Sequence, residues 1–141
     1  MAKLIVLMGN IGTGKTHYRL KNFKNGEVHV CFDDFENLSK DERFTQSMRS
    51  IRYGLRKGNI VVVEGTNLTK YIRSNIICHA KDVNCKSILY DFGKGNSTTL
   101  KTRINERKDI SADVWTKIHK DNILAYEKPS EDEGFDEIIT N

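Results

Sequence analysis

Short apolar segments alternate with longer amphipathic stretches along this chain. The apolar segments are residues 4–8, 28–32, 60–63 and 87–90, with a weaker one at 138–140. Between them, apolar residues recur at intervals of three and four, the period of a helix with one buried face. Strands that alternate with such helices are typical of βα units. The pattern predicts an α/β fold with a doubly wound, mainly parallel sheet of four to five strands and helices on both faces.

Local signals delimit the predicted helices. A capping-box pattern at 39–42 begins the second helix, and a third follows the sequence TNLTK, with Ile72, Ile76 and Ala80 facing the sheet. Two more are predicted at 97–108 and 111–127, and the inward residues of the last are Val114, Trp115 and Ile118. No linker or repeat interrupts the pattern, so we treat residues 1–141 as a single domain.

Composition narrows the class of protein. Charged residues make up 30% and apolar residues 38% of the chain, which is typical of a globular protein, and the net charge of +4 permits a polyanionic partner. Cys31, Cys78 and Cys85 are odd in number and lack metal-ligand spacing, so we expect buried or half-buried free thiols in a reducing cytoplasm. No apolar run is long enough for a membrane span, and we expect no signal peptide.

The first predicted strand runs into a glycine-rich turn with the spacing of a phosphate-binding loop. Gly9 and the segment Gly14-Lys15-Thr16 match the P-loop pattern, and a helical pattern follows directly. Glycine allows backbone amides to approach phosphate oxygens closely, and a helix N-terminus favours anions. We therefore expect ATP to bind the loop, which comprises Gly9, Asn10, Ile11, Gly12, Thr13, Gly14, Lys15 and Thr16, and we expect the Thr16 hydroxyl to bind Mg²⁺.

Acidic residues follow the next two strands. Asp33 and Asp34 come after the second strand, where a carboxylate could accept a hydroxyl proton during phosphoryl transfer. Glu64 ends the third strand beside the P-loop, where it could hold a metal-bound water. The alternative for each is a solvated acid at a strand end. We assign Asp33 as the catalytic base, Asp34 to the acceptor site and Glu64 to the metal.

A basic helix follows the fourth strand. Arg103 and Arg107 lie four residues apart in KTRINERKD and so share one helix face. The planar guanidinium group binds phosphate oxygens through two hydrogen bonds and stays charged, which suits a lid that closes over a triphosphate. A plain basic surface is the alternative. No Asn-Lys-x-Asp motif of GTPases is present, and the chain is short for a motor ATPase.

Together these segments resemble the kinase domain of bacteriophage polynucleotide kinase and related small P-loop kinases. GNIGTGKT, VHVCFDDF, EGTNL and RINER occur in that family's order over nearly the whole chain. The resemblance implies Asp33 as the base that activates a 5′-hydroxyl, Lys15 and Thr16 as ligands of the donor phosphates and metal, and Arg107 as the lid arginine. It further implies that Thr66 and Asn67 flank the acceptor channel.

The acceptor is the least determined part of this interpretation. The family's polynucleotide kinases have an arginine where this chain has Glu36, and Gly65 replaces their aspartate before Thr-Asn-Leu. Lys70 and Arg73, just after the Thr-Asn pair, are candidates for substrate contact instead. A second candidate surface is the row of basic residues on the second helix, with a solvated face as its alternative; its members are Arg49, Arg52, Arg56 and Lys57, beside Tyr53.

Three functions remain open at this point. We favour an ATP- and Mg²⁺-dependent kinase of the 5′-hydroxyl end of DNA or RNA. A kinase of a small acceptor, such as a nucleotide or nucleoside, or of a hydroxymethylated base in DNA, would not need the missing arginine. A nucleotide-binding module that regulates a partner is the third possibility.

Overall fold

A computed structural model of the protein describes residues 1–35 and 37–141, with the backbone alone for Asp34 and Phe35. Five strands form one sheet in the order β2-β3-β1-β4-β5, and every adjacent pair is parallel. The strands are β1 (Lys3–Met8), β2 (Val28–Cys31), β3 (Ile60–Glu64), β4 (Lys86–Asp91) and β5 (Glu137–Thr140). The predicted α/β class and doubly wound sheet are thus confirmed.

Alternation along the central strand explains why both faces of the sheet are covered. Leu4, Val6 and Met8 of β1 point to one face and join the larger apolar cluster, whereas Ile5 and Leu7 point to the other face and join the smaller one. All five side chains are almost completely removed from solvent. A central parallel strand buried on both faces has a continuous apolar sequence, which is what the segment 4–8 shows.

Five α-helices connect the strands: α1 (Lys15–Asn22), α2 (Lys40–Arg56), α3 (Lys70–Asp82), α4 (Ser97–Glu106) and α5 (Ala112–Ala125). The larger cluster includes Ile51 and Leu55 of α2 and Ile76 and Ala80 of α3, so these two helices cover one face. The smaller cluster includes Tyr18 of α1, which covers the other face and packs 5.2 Å from the ring of Tyr90.

Two details of burial differ from the sequence prediction. Val114 is 46% exposed, whereas Trp115 and His119 supply the buried side of α5. The prediction placed Val114 inside because the sequence shows apolarity and not where the neighbouring helix α4 makes contact. Cys78 is exposed rather than buried, while Cys31 and Cys85 are half-buried as expected, and all three are in the thiol form.

A buried ion pair joins the C-terminal segment to α3. The guanidinium group of Arg73 on α3 is fully buried, and its Nε donates to the Glu133 carboxylate at 2.7 Å. The two Nη groups of Arg73 donate to the backbone carbonyls of Asn67 and Glu127, both at 3.0 Å. Arg73 is therefore part of the interior of the fold. Among the described residues, no helix has the length and apolar character needed to cross a bilayer.

Candidate active site

The site lies at the carboxyl edge of the sheet, where β1 and β3 are neighbours and their following helices lie on opposite faces. In doubly wound folds a crevice opens at the place where neighbouring strands lead into helices on opposite faces of the sheet. The Gly9 amide donates to the Thr66 carbonyl at 3.0 Å, which fixes the end of β1 to the loop after β3. The chain then turns through Gly12 and Gly14, with φ of 74° and 96°, and α1 begins at Lys15. Glycine is favoured at these positive φ values.

Asn10 anchors the P-loop from beneath. Its side chain is completely buried, and its Nδ2 donates to the carbonyls of Lys94 at 2.8 Å and His119 at 3.0 Å. Its Oδ1 accepts from the Ile11 amide and from Asn122 Nδ2. All the hydrogen-bonding positions of this side-chain amide face protein, and the backbone amide of Asn10 donates to the Gly93 carbonyl at 3.0 Å. Asn10 therefore fixes the position of the loop in this structure.

Lys15 folds back over the loop that precedes it. Its ammonium group donates to the carbonyls of Gly9 and Asn10, each at 2.7 Å. The pKa of Lys15 is lowered from 10.5 to about 8, chiefly because burial disfavours the charge. The Glu64 carboxylate opposes this change, and the positive charge of Arg103 adds to it. A buried cation bonded to neutral carbonyls lacks a strong counter-charge, so a phosphate group in the crevice would stabilise its charged form.

Thr16 and Glu64 are hydrogen-bonded to each other across the P-loop and the end of β3. The Thr16 hydroxyl donates to Glu64 Oε1, and Glu64 Oε2 accepts from Arg19 Nε at 2.8 Å. Arg19 also contacts His29 Nδ1 through Nη1 at 2.8 Å. Thr16 and Glu64 therefore lie together as the sequence interpretation requires, and Arg19 is an additional member of the site.

One cleft of about 350 Å³ joins these groups to the other predicted residues. Its wall contains Lys15, Thr16, Glu64, Thr66 and the exposed Asp33. The other lining residues are Ile11, Gly12, Gly14, Arg19, Cys31, Gly65, Arg103, Glu106 and Arg107. The same cleft is thus lined by the proposed base, the P-loop lysine, the hydrogen-bonded Thr16–Glu64 pair and the two arginines predicted to form a lid.

The helix α4 that carries the two arginines packs directly on the P-loop. A Cβ added at Gly12 would overlap the carbonyl of Thr99 on α4 and lie 3.3 Å from the Cβ of Arg103. Arg103 is half-buried, whereas Arg107 is exposed and its guanidinium group donates to both oxygens of Asp109, at 2.9 and 2.7 Å. The helix ends at Glu106, so Arg107 lies at its cap and not within it as predicted.

The residues predicted to bind the acceptor are dispersed. Thr66 lines the cleft, but Asn67 turns inward with φ of 48° and donates from Nδ2 to the Leu7 carbonyl at 2.9 Å. Lys70 is exposed, and its backbone amide donates to Glu127; neither Lys70 nor Arg73 lines the cleft. The Asp34 side chain and Glu36 lie outside the described residues, so those two expectations are not addressed.

Sequence reasoning missed Arg19, Cys31, Glu106 and the role of Trp115. Arg19 lies three residues after Thr16 on α1, and this helical spacing was the available signal that both would face the acid of β3. Cys31 is paired in register with Glu64 on the adjacent strand, which places it at the cleft. Trp115 is buried as predicted, and its ring also lies near both arginines, with its centre 4.3 Å from the guanidinium carbon of Arg103 and 5.9 Å from that of Arg107.

The residues present suit a nucleotide with a divalent cation. The loop supplies backbone amides at the start of α1, and Gly14 has open space where a Cβ would project. Thr16 and Glu64 would hold Mg²⁺ through oxygen atoms, the donors that it prefers. Within the described residues no cluster of three or more His, Cys, Asp or Glu could hold a metal alone. Mg²⁺ usually takes one or two protein ligands and completes its shell with phosphates and water.

The chain has the fold of a small P-loop kinase, as shown by its strand order, its P-loop and the arginine-bearing helix that packs over that loop. The family model described as "Chromatin associated protein KTI12" matches residues 2–137, so the chain belongs to the KTI12 family. The resemblance to bacteriophage polynucleotide kinase is thus correct for the small P-loop kinase fold, while the family shown is KTI12. A sequence search of curated proteins gives no significant match.

Solved structures support the same fold at low sequence identity. Kti12 of Chaetomium thermophilum in complex with ADP-AlF3 has a TM-score of 0.69 and 17% identity, with 98% of this chain and 88% of that chain covered. A fungal RNA kinase has a TM-score of 0.69 and 18% identity over 99% of this chain but 38% of its own. The Mycobacterium tuberculosis APS kinase CysC in complex with AMPPNP and APS has a TM-score of 0.60 and 15% identity, with 99% and 88% covered.

Proposed function

We propose that this protein is an ATP-dependent phosphotransferase that moves the γ-phosphate to a hydroxyl group, in the first instance the 5′-hydroxyl end of DNA or RNA. The observation that carries the proposal is the convergence of Lys15, the Thr16–Glu64 pair, Asp33 and Arg103 on one cleft above a P-loop. A donor phosphate chain needs cations and amides, and a hydroxyl acceptor needs a base on the opposite side. The cleft has both.

Each residue has a distinct task in this mechanism. The amides of the loop and the Lys15 ammonium group bind the β- and γ-phosphates, and Lys15 leaves the carbonyls of Gly9 and Asn10 to do so. Asp33 accepts the proton of the acceptor hydroxyl as the hydroxyl oxygen attacks the γ-phosphorus, and the bond from the γ-phosphorus to the bridging oxygen breaks so that ADP leaves. Arg103 donates to the transferring phosphoryl oxygens. Bound Mg²⁺ would supply positive charge to the β- and γ-oxygens, and Thr16 and Glu64 would hold it in place.

A nucleic acid is favoured as the acceptor by the charge on α2. Arg52 and Arg56 are exposed and make no ion pair within the described residues. Both lie close enough to His79 of α3 to lower its pKa, although burial is the larger cause. The exposed Tyr53 ring lies 5.4 Å from the Lys57 ammonium group. An aromatic ring among unpaired cations is a surface suited to a single-stranded backbone and its bases. The fold shared with a fungal RNA kinase supports the same choice.

A regulatory function is the second candidate. The family description concerns a chromatin-associated protein and names no transferase. In addition, Arg107 is held by Asp109 at the cap of α4, so one of the two lid arginines already has a carboxylate partner. In this case nucleotide binding and hydrolysis would control a partner, and the same cleft would turn over ATP without an acceptor.

Transfer of label from γ-labelled ATP to a panel of acceptors tests the proposal. The panel contains 5′-hydroxyl RNA and DNA, the same strands with a 5′-phosphate, DNA with hydroxymethylated pyrimidines, nucleosides and nucleoside monophosphates. We expect label on the 5′-hydroxyl strands alone. Label confined to small acceptors or to modified DNA would identify a different hydroxyl, and hydrolysis without labelled product would favour the regulatory function.

The Asp33→Asn variant tests whether Asp33 acts as the base without contributing to nucleotide binding. Because Asp33 faces the acceptor in this mechanism, transfer should fall by about 10²- to 10⁴-fold while ATP affinity changes little. Asp121→Asn, which removes another exposed carboxylate, is the matched control and should retain full activity. Equal loss of ATP affinity and transfer in Asp33→Asn would show that this carboxylate is not the base.

A further inference from the structure

The lid arginine Arg103 lies on the face of a buried tryptophan. The guanidinium carbon of Arg103 is 4.3 Å from the centre of the Trp115 indole, well within the range of a cation–π interaction. Trp115 is only 5% exposed and belongs to α5, whereas Arg103 belongs to α4. The contact therefore sets the position of one helix's charged group through a side chain of another.

Arg103 differs from Arg107 in what its guanidinium group binds. It makes no hydrogen bond or ion pair within the described part of the chain, and its buried Nε lacks a partner there. Burial lowers the pKa of Arg103, and the nearby charge of Arg107 lowers the pKa further. A desolvated guanidinium group usually has a carboxylate partner. This one is supported by an aromatic ring, which leaves its N–H groups for another anion.

The backbone beneath Arg103 is fixed as well. Thr99 and Arg103 pack so closely on Gly12 that a Cβ at that glycine would overlap α4. The charge of Arg103 also lowers the pKa of Lys15, which shows that the two cations face the same part of the cleft. The root of the side chain is thus held by the P-loop and its charged end by the indole.

We propose that Trp115 is a positioning residue that holds the guanidinium plane of Arg103 in the cleft, with the N–H edge directed to the phosphate chain of the nucleotide. Trp115 itself does not contact the nucleotide. An indole suits this task because it is the aromatic group that binds cations best, and because it cannot compete with phosphate as a carboxylate would. The inference rests on the proposed function only in that a nucleotide binds the cleft.

A double-mutant cycle on nucleotide affinity tests this assignment. The variants are Trp115→Leu, Trp115→Phe, Arg103→Ala and Arg103→Ala/Trp115→Leu, and the Kd of AMPPNP, a non-hydrolysable ATP analogue with all three phosphates, is measured by calorimetry without acceptor. We expect Arg103→Ala to weaken binding roughly ten- to thirtyfold, the scale of a desolvated charged contact. Trp115→Leu should weaken binding by most of the same factor. Trp115→Phe keeps an aromatic face, so its Kd should remain within about threefold of the wild-type value.

The cycle separates positioning from general support of the fold. If Trp115 acts through Arg103, Trp115→Leu should change the Kd by less than about twofold once Arg103 is already alanine. Independent, multiplicative losses would overturn the proposal, and so would unchanged affinity in Trp115→Leu. Should Trp115→Leu fail to fold, Trp115→Met, which also removes the aromatic face, replaces it in both backgrounds with the same additivity criterion. Failure of phosphoryl transfer to every acceptor would overturn the proposed kinase and leave this cycle intact.

Discussion

The lowered pKa of Lys15 makes nucleotide affinity depend on pH in a range where this lysine would ordinarily stay charged. In the proposed function Lys15 binds phosphate as an ammonium group, and its pKa in the free protein is about 8, chiefly because burial disfavours the charge. Phosphate supplies the missing counter-charge, so the pKa must rise in the complex. Affinity should therefore be constant below the pKa of the free protein and fall as pH rises above it.

The size of the effect follows from the fraction of protonated lysine. A group with a pKa of about 8 is roughly three-quarters protonated at pH 7.5 and about 3% protonated at pH 9.5. ADP affinity should fall about 25-fold across this range, or about 1.9 kcal/mol, and an unshifted lysine would give a change of only about 1.1-fold. The Kd is measured by calorimetry at constant ionic strength, between pH values at which ADP is already ionised.

Two variants identify the titrating group. Lys15→Arg keeps a positive charge throughout this range, so its affinity should show no slope, whatever its absolute value. Cys31→Ser, which removes a thiol that lines the same cleft, should retain the slope. A flat profile in wild type, or a slope that persists in Lys15→Arg and disappears in Cys31→Ser, would refute the reasoning.

Three further predictions concern charge, stability and pH. Replacing Arg49, Arg52 and Arg56 by Gln should weaken binding of single-stranded oligonucleotides in anisotropy titrations and reduce the slope of log affinity against log salt concentration by up to about 2. The charge-matched control, in which Lys21, Lys117 and Lys120 become Gln, should keep the slope. Equal effects of the two triple variants would exclude a specific binding surface on α2. Arg73→Met leaves the buried Glu133 unpaired and should cost about 3–5 kcal/mol in urea unfolding, with recovery in Arg73→Met/Glu133→Leu. Unchanged oligonucleotide affinity of folded Arg73→Met would place this arginine outside the acceptor site. Burial lowers the pKa of His119 below 6.5, so the unfolded chain binds more protons and the free energy of unfolding should fall as the pH drops through 6.5. His119→Gln should flatten this part of the pH profile in urea unfolding. An unchanged slope in the variant would contradict this assignment to His119.

The sequence predicted the parts of this molecule that depend on local patterns. The short apolar segments between amphipathic stretches located all five strands. The glycine spacing located the loop in which residues 12 and 14 have the positive φ values that favour glycine. The proximity of Thr16, Asp33 and Glu64 also followed, because the carboxyl ends of parallel strands meet at one edge of the sheet. Each of these inferences needed only neighbours in sequence or the topology of the sheet.

Pairings between distant side chains could not be predicted in this way. Arg73 carried the same signal as a surface cation, and its burial depends on Glu133, which lies 60 residues later. The partner of Arg103 is an indole on the next helix, which depends on how α4 and α5 pack. Charge and apolarity in a sequence give the type of group, whereas its partner follows from tertiary packing.

The anchoring of Asn10 has a consequence for the order in which the protein matures during synthesis. This amide belongs to the first tenth of the chain, yet it is satisfied by the His119 carbonyl and the Asn122 amide, which are 109 and 112 residues away. Until α5 has been synthesised and has docked, the Asn10 amide lacks these two partners and is bonded to water. We therefore expect the P-loop to reach the conformation described above only after nearly the whole domain has folded.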